Sequence, residues 1–145
     1  MIYLGSDHAG FELKKSISKY FEKNKIDYSD LGTFNKDPVD YPDIAKKVCD
    51  KVVKKRSNKG ILICGTGTGM SIAANKIKGI RATLAYDNYS AKMSKHDNDV
   101  NVLCLRSRFI DTSKTNKIVQ TWLNESFSKQ KRHNIRIKKI KELEK

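Results

Sequence analysis

Residues 61–76 read ILICGTGTGMSIAANK. Ile61 to Cys64 form a short apolar run, Gly65, Gly67 and Gly69 alternate after it, and the residues beyond have helix-forming character. A strand, a glycine turn and a helix in that order make a βα unit whose turn presents backbone amides at a helix start. Such turns usually cradle phosphate. A cysteine at the entrance adds a second chemistry, a thiol facing those amides.

Outward from this unit, β-rich runs alternate with stretches of helical period, the pattern of βα units around a parallel sheet. Strands are expected at Ile2 to Leu4, near Ile26 to Tyr28, at Gly60 to Cys64, Arg81 to Ala85 and Val100 to Leu105. Helices are expected after Gly10 with Leu13, Ile17, Tyr20 and Phe21 on one face, and with Ile44, Val48 and Val52 at four-residue steps after the loop LGTFNKDPVDYPD. Further helices are expected at about Gly69 to Lys76, Asn88 to Lys95 and Ser113 to Leu123. Five strands and five following helices predict an α/β fold, a three-layer α/β/α domain with a five-stranded parallel sheet. The final segment, KRHNIRIKKIKELEK, is an extra C-terminal helix with no strand left to cover, which points to packing on a second subunit.

The 145 residues suit a single domain, and 38% apolar with 32% charged residues is polar for a folded chain. The apolar residues nevertheless come in periodic blocks. A net charge of +14 invites nucleic-acid binding, but the lysines, Lys14, Lys15, Lys46, Lys47, Lys54, Lys55, Lys76, Lys117, Lys138 and Lys139 among them, are spread over every expected helix as a solvated face. No specific nucleic-acid partner is expected. Three cysteines, Cys49, Cys64 and Cys104, at wide spacing and without zinc-type pairing fit a reducing, cytoplasmic setting, and no segment approaches the roughly 18 apolar residues of a membrane span.

In a parallel α/β sheet the ligand site lies at the carboxyl ends of the strands. Those ends hold Ser6, Asp7 and His8, then Cys64 to Ser71, Tyr86 to Asn88, and Arg106 to Arg108. The glycine loop does not match the dinucleotide G-x-G-x-x-G, lacks the GK of a P-loop, and has Met70 where a cysteine phosphatase needs arginine. Cys64 at a helix start is either a thiolate nucleophile or base, or a small buried hydrophobe ending a strand. Cys49 and Cys104 read as core residues.

Together the stretches GSDHAGFELK (5–14), DYPD (40–43), ILICGTGTGMSIAANKIKGIRA (61–82), NDVNVLCLRSR (98–108) and KRHNIR (131–136) resemble the ribose/galactose-6-phosphate isomerase family, ribose-5-phosphate isomerase B in particular. The resemblance spans nearly the whole chain. It implies a Rossmann-like domain, a homodimer, with tetramers a further option, whose sites are shared across the interface, and metal-free, cofactor-free interconversion of ribose 5-phosphate and ribulose 5-phosphate. It also implies roles. Cys64 is the base, and the amides of Gly65, Thr66, Gly67, Thr68, Gly69 and Met70 hold the enediolate, with Thr66 placed near the sugar hydroxyls. Asp7, His8 and Tyr41 line the sugar, as does Asn98. Arg108, Arg132 and Arg136 take the phosphate, the last two from one helix face, which gives the C-terminal helix a purpose at the dimer interface.

Two stretches depart from the family pattern. Its ring-opening histidine directly precedes Asn-Asp, whereas residues 94–101 read SKHDNDVN, with Asp97 at that position and His96 one residue early. Either Asp97 is the acid/base, or His96 is presented by a small backbone adjustment, or ring opening is left to solution. In LRSR, Arg106 stands where the family commonly has glycine, either adding to phosphate attraction or facing water. Rival functions are isomerisation of a six-carbon phosphosugar such as allose 6-phosphate, and non-catalytic binding of a phosphosugar or polyanion.

Overall fold

Runs of branched apolar residues form one parallel sheet, and helices of amphipathic period cover both its faces. The computed structural model describes residues 1–144. In chain order the elements are β1 (Ile2–Ser6), α1 (Phe11–Lys23), β2 (Tyr28–Asp30), α2 (Tyr41–Val52), β3 (Lys59–Cys64), α3 (Thr68–Asn75), β4 (Ala82–Leu84), α4 (Asn88–Asn98), β5 (Val102–Arg106), α5 (Thr112–Asn124) and α6 (Lys131–Glu142). The five strands lie in the order β2-β1-β3-β5-β4, every pair parallel. This is the three-layer α/β fold expected from the sequence.

The central strands are buried on both faces, so their alternating side chains feed two cores. Ile61, Ile63, Leu103 and Leu105 join Leu13, Ile17 and Phe21 of α1 and Ile118, Val119 and Trp122 of α5 on one side. Leu62, Cys64, Val102 and Cys104 join Ile44, Val48 and Cys49 of α2 and Met70 and Ala74 of α3 on the other. Cys49 and Cys104 are core residues, as expected. All three cysteines are free, and no helix among the described residues is long and apolar enough to cross a membrane.

Four details differ from the sequence expectation. The second strand starts at Tyr28 rather than Ile26, because the Ile26 amide still bonds the Phe21 carbonyl at 2.9 Å as α1 ends. Helix α4 runs on to Asn98, placing His96, Asp97 and Asn98 in its last turn before Asp99 takes a left-handed conformation (φ 46°). Lys14 is not a solvated lysine: it is 1% exposed and ion-paired with Asp30 at the end of β2. Finally, α6 finds a surface within its own chain, burying His133 and Ile137 beside the end of α4.

Candidate active site

At the carboxyl edge of the sheet, β3 ends in Cys64, which is 5% exposed and packed among the α2 and α3 side chains. The chain then turns through Gly67, whose φ of 78° is one that L-residues rarely adopt. A Cβ there would lie 2.4 Å from Leu84 Cδ1 and 3.0 Å from the Leu105 carbonyl carbon. Gly67 lets the loop pass between β4 and β5, and α3 begins at Thr68 with no acidic residue in its first turn. Its first amides lack intrahelical partners and carry the positive end of the helix dipole.

The outer glycines have side chains resting on them. The Arg108 guanidinium lies where a Gly65 Cβ would be 2.9 Å away, and the Arg108 amide donates to the Gly65 carbonyl at 3.1 Å. The Tyr41 ring lies over Gly69 in the same manner, at 2.6 Å from such a Cβ. Tyr41 arrives because the loop before α2 is tied to the end of β1. Thr33 donates to the Ser6 carbonyl at 2.7 Å, and Val39 donates to His8 Nδ1 at 3.3 Å. The latter bond makes Nδ1 an acceptor, so neutral His8 keeps its proton on the exposed Nε2.

Asp7 is buried and accepts from the Gly10 amide at 3.0 Å, shaping the turn into α1. Thr66 is exposed, and its hydroxyl accepts only a long 3.4 Å bond from the Thr68 amide. Thus Asp7, His8, Tyr41, Cys64, the glycine loop and Arg108 share one edge of the sheet. Cys64 thus ends its strand directly before the glycine loop, with the Arg108 guanidinium against Gly65.

The remaining expected residues lie at the other edge. Helix α4 runs antiparallel to the strands, and Arg81, just before β4, donates from Nε to the Asn98 carbonyl at 2.9 Å. The six residues of β3 separate this end from Cys64 by about 16 Å. Here His96 Nδ1 and Asp97 Oδ1 are 2.8 Å apart, and the Nε2 of buried His133 lies 3.5 Å from the same oxygen. Ser128 Oγ holds the other nitrogen of His133 at 2.6 Å. The His96 hydrogen bond, reinforced by nearby His133 and Arg132, holds the Asp97 carboxyl below its usual range. His96, Asp97 and His133 are also a grouping with metal-ligand spacing, their donor atoms within 4.8 Å of one another. Arg132 and Arg136 stand exposed on α6, Arg132 bonded at 3.0 Å to Gln130.

One chain therefore does not bring Asn98, His96, Asp97, Arg132 and Arg136 to Cys64. Sequence reasoning missed His133, although it lies inside KRHNIR. The signal was its four-residue spacing from Ile137, which makes it inward-facing. Arg106 neither faces open water nor reaches a described carboxylate: it stacks 4.9 Å from the Tyr86 ring centre with its Nε buried and without a partner.

Comparison with known proteins gives the family and the fold. The Ribose/Galactose Isomerase family pattern matches residues 2–140. A Mycoplasma genitalium protein named as a probable ribose-5-phosphate isomerase B is 46% identical over 147 residues, covering 99% of this chain and 95% of that one. The ribose-5-phosphate isomerase B structure from Clostridium thermocellum superposes with a TM-score of 0.95 at 43% identity, covering 99% and 96% of the two chains. The Mycoplasma genitalium enzyme solved with bound ribulose-5-phosphate gives 0.93 at 43% identity, covering 97% and 93%. With the family pattern spanning nearly the whole chain and the fold shared at 43% identity, the chain belongs to the ribose/galactose isomerase family of sugar-phosphate isomerases, alongside the ribose-5-phosphate isomerase B enzymes.

Proposed function

We propose that the protein interconverts ribose 5-phosphate and ribulose 5-phosphate through an enediolate, using its own side chains and no cofactor. The observation that carries this is the position of Cys64 at the strand tip directly before the glycine loop and the α3 N-terminus, with Arg108 against Gly65. Cys64, as thiolate, removes the C2 proton of the open-chain aldose, and the negative charge that develops on O1 is held by the loop amides. Return of the proton to C1, with transfer of the O2 hydroxyl proton to O1, gives the ketose. Asp7, His8 and Tyr41 surround the sugar, and Arg108 binds an anionic oxygen.

The ring form must open first, and the helical end of α4 supports one assignment. Asp97, held ionised, accepts from His96 Nδ1, which orients the ring and leaves Nε2 as the working nitrogen. His96 Nε2 takes the anomeric hydroxyl proton as the C1–O4 bond breaks and delivers it to O4. Asp97 is the orienting carboxylate and His96 the proton carrier.

The 16 Å separation supports a homodimer in which the partner subunit lays its α4–α6 junction, with Arg132 and Arg136, over the glycine loop. The free, buried cysteines support a cytoplasmic setting.

The test is turnover of ribose 5-phosphate by the purified protein and its variants, with allose 6-phosphate as second substrate. Cys64→Ala is expected to lose at least about a hundredfold in kcat. His96→Ala should lose far more with ribose 5-phosphate than in the reverse direction, because ribulose 5-phosphate has no ring to open. A folded protein idle on ribose 5-phosphate overturns the proposal, and turnover of allose 6-phosphate alone would move it to six-carbon sugars.

A further inference from the structure

A pocket of about 480 Å³ opens at the amino edge of the sheet, on the side away from Cys64. Its walls come from the end of α2, the start of β3, the end of α4 and one face of α6. On α6 that face is Asn134, Ile137, Lys138 and Lys141, which at 100° per residue is opposite Arg132 and Arg136. The pocket is thus distinct from the sugar-phosphate machinery. Seven cationic side chains line it, Lys55, Arg56, Lys59, Arg81, Lys95, Lys138 and Lys141, against the single carboxylate of Asp99.

Asp99 is already shared. Arg81 holds it at 3.1 Å and Lys95 at 3.0 Å. Lys59, half-buried on the floor, has no carboxylate in reach among the described residues, only the Leu123 carbonyl at 3.5 Å and the Trp122 ring face at 5.9 Å. Burial, and then the Lys95 charge, push the Lys59 ammonium below its usual lysine value, with Asp99 opposing. Asp99, already engaged by Arg81 and Lys95, offsets only part of the cost of desolvating this cation, and an entering anion removes more of it. The four rim cations are exposed and can turn inward onto it.

We propose that this pocket binds a small polyphosphate, two or three linked phosphoryl groups, alone or as part of a nucleotide. One phosphate would meet too few of the cations, whereas the volume is that of an ordinary small-ligand site. Phe127 and Ile137 add an apolar wall for an organic group. The pocket is independent of the isomerase assignment.

The experiment is titration calorimetry of the whole protein with inorganic tripolyphosphate and, separately, with ATP, at near-physiological salt. One equivalent per chain is expected. Lys59→Met should weaken it about tenfold, the loss of one charged hydrogen bond, and exposed Lys138→Glu should weaken it similarly without touching the interior. Arg108→Ala should leave it unchanged. Tripolyphosphate binding as well as ATP would assign recognition to the phosphate chain, while preference for ATP would bring in the apolar wall. No binding, or binding abolished by Arg108→Ala and indifferent to Lys59 and Lys138, overturns the proposal.

Discussion

Single residues explain the unusual loop. Gly65 and Gly69 leave room for Arg108 and Tyr41, and Gly67 takes a backbone conformation that side chains resist. Gly67→Ala should therefore cost about 1–3 kcal/mol of stability in urea unfolding, from the strained φ and the 2.4 Å approach to Leu84. The alternation of glycines was legible in the sequence, but its cause was not, since the neighbours come from α2, β4 and β5. Among the cysteines, burial pushes the Cys49 thiol up to about 12, and burial likewise raises Cys104. Both should stay unalkylated by iodoacetamide at pH 8 in the native protein and react once it is unfolded, a difference read by mass spectrometry.

At the scale of elements, the end of α4 shows why a motif alone left two candidates. Numbering along the chain puts Asp97 where a histidine was expected. The helical turn puts His96 and Asp97 side by side at 2.8 Å, and α6 brings His133 against them. In the proposed mechanism the two form a pair, with Asp97 orienting the His96 ring through this bond. A depressed carboxyl stabilises the folded state above its unfolded value and loses that contribution as pH falls through the lower folded value. The stability difference between the wild type and Asp97→Asn should persist as pH is lowered to the usual 3.8 and shrink only below it, measured as the shift in urea midpoint. Helix α6 itself was legible from its period. Its partner was not, since the contact with α4 joins segments with the whole of β5 and α5 between them in the chain.

Over the whole molecule, the parallel sheet carries Cys64 at one edge and His96 at the other, so a complete site requires two chains in the proposed dimer. Cys64→Ala and His96→Ala proteins, both impaired with ribose 5-phosphate, unfolded together in equal amounts and refolded, should recover about a quarter of wild-type turnover of that substrate, because half the dimers are mixed and each mixed dimer has one intact site. Either variant refolded alone should stay impaired with ribose 5-phosphate. Absence of recovery in a mixed dimer would place both residues in one chain's site. The sequence by itself determined the order of strands and helices, the glycine loop with its cysteine, and the family, because periodicity and turn chemistry are local. Only the tertiary structure decided that Lys14 lies buried against Asp30, that His96, Asp97 and His133 meet, and that scattered lysines gather around a starved Lys59. Those are relations between distant segments, and the period of a helix says which face turns inward without saying what it will find there.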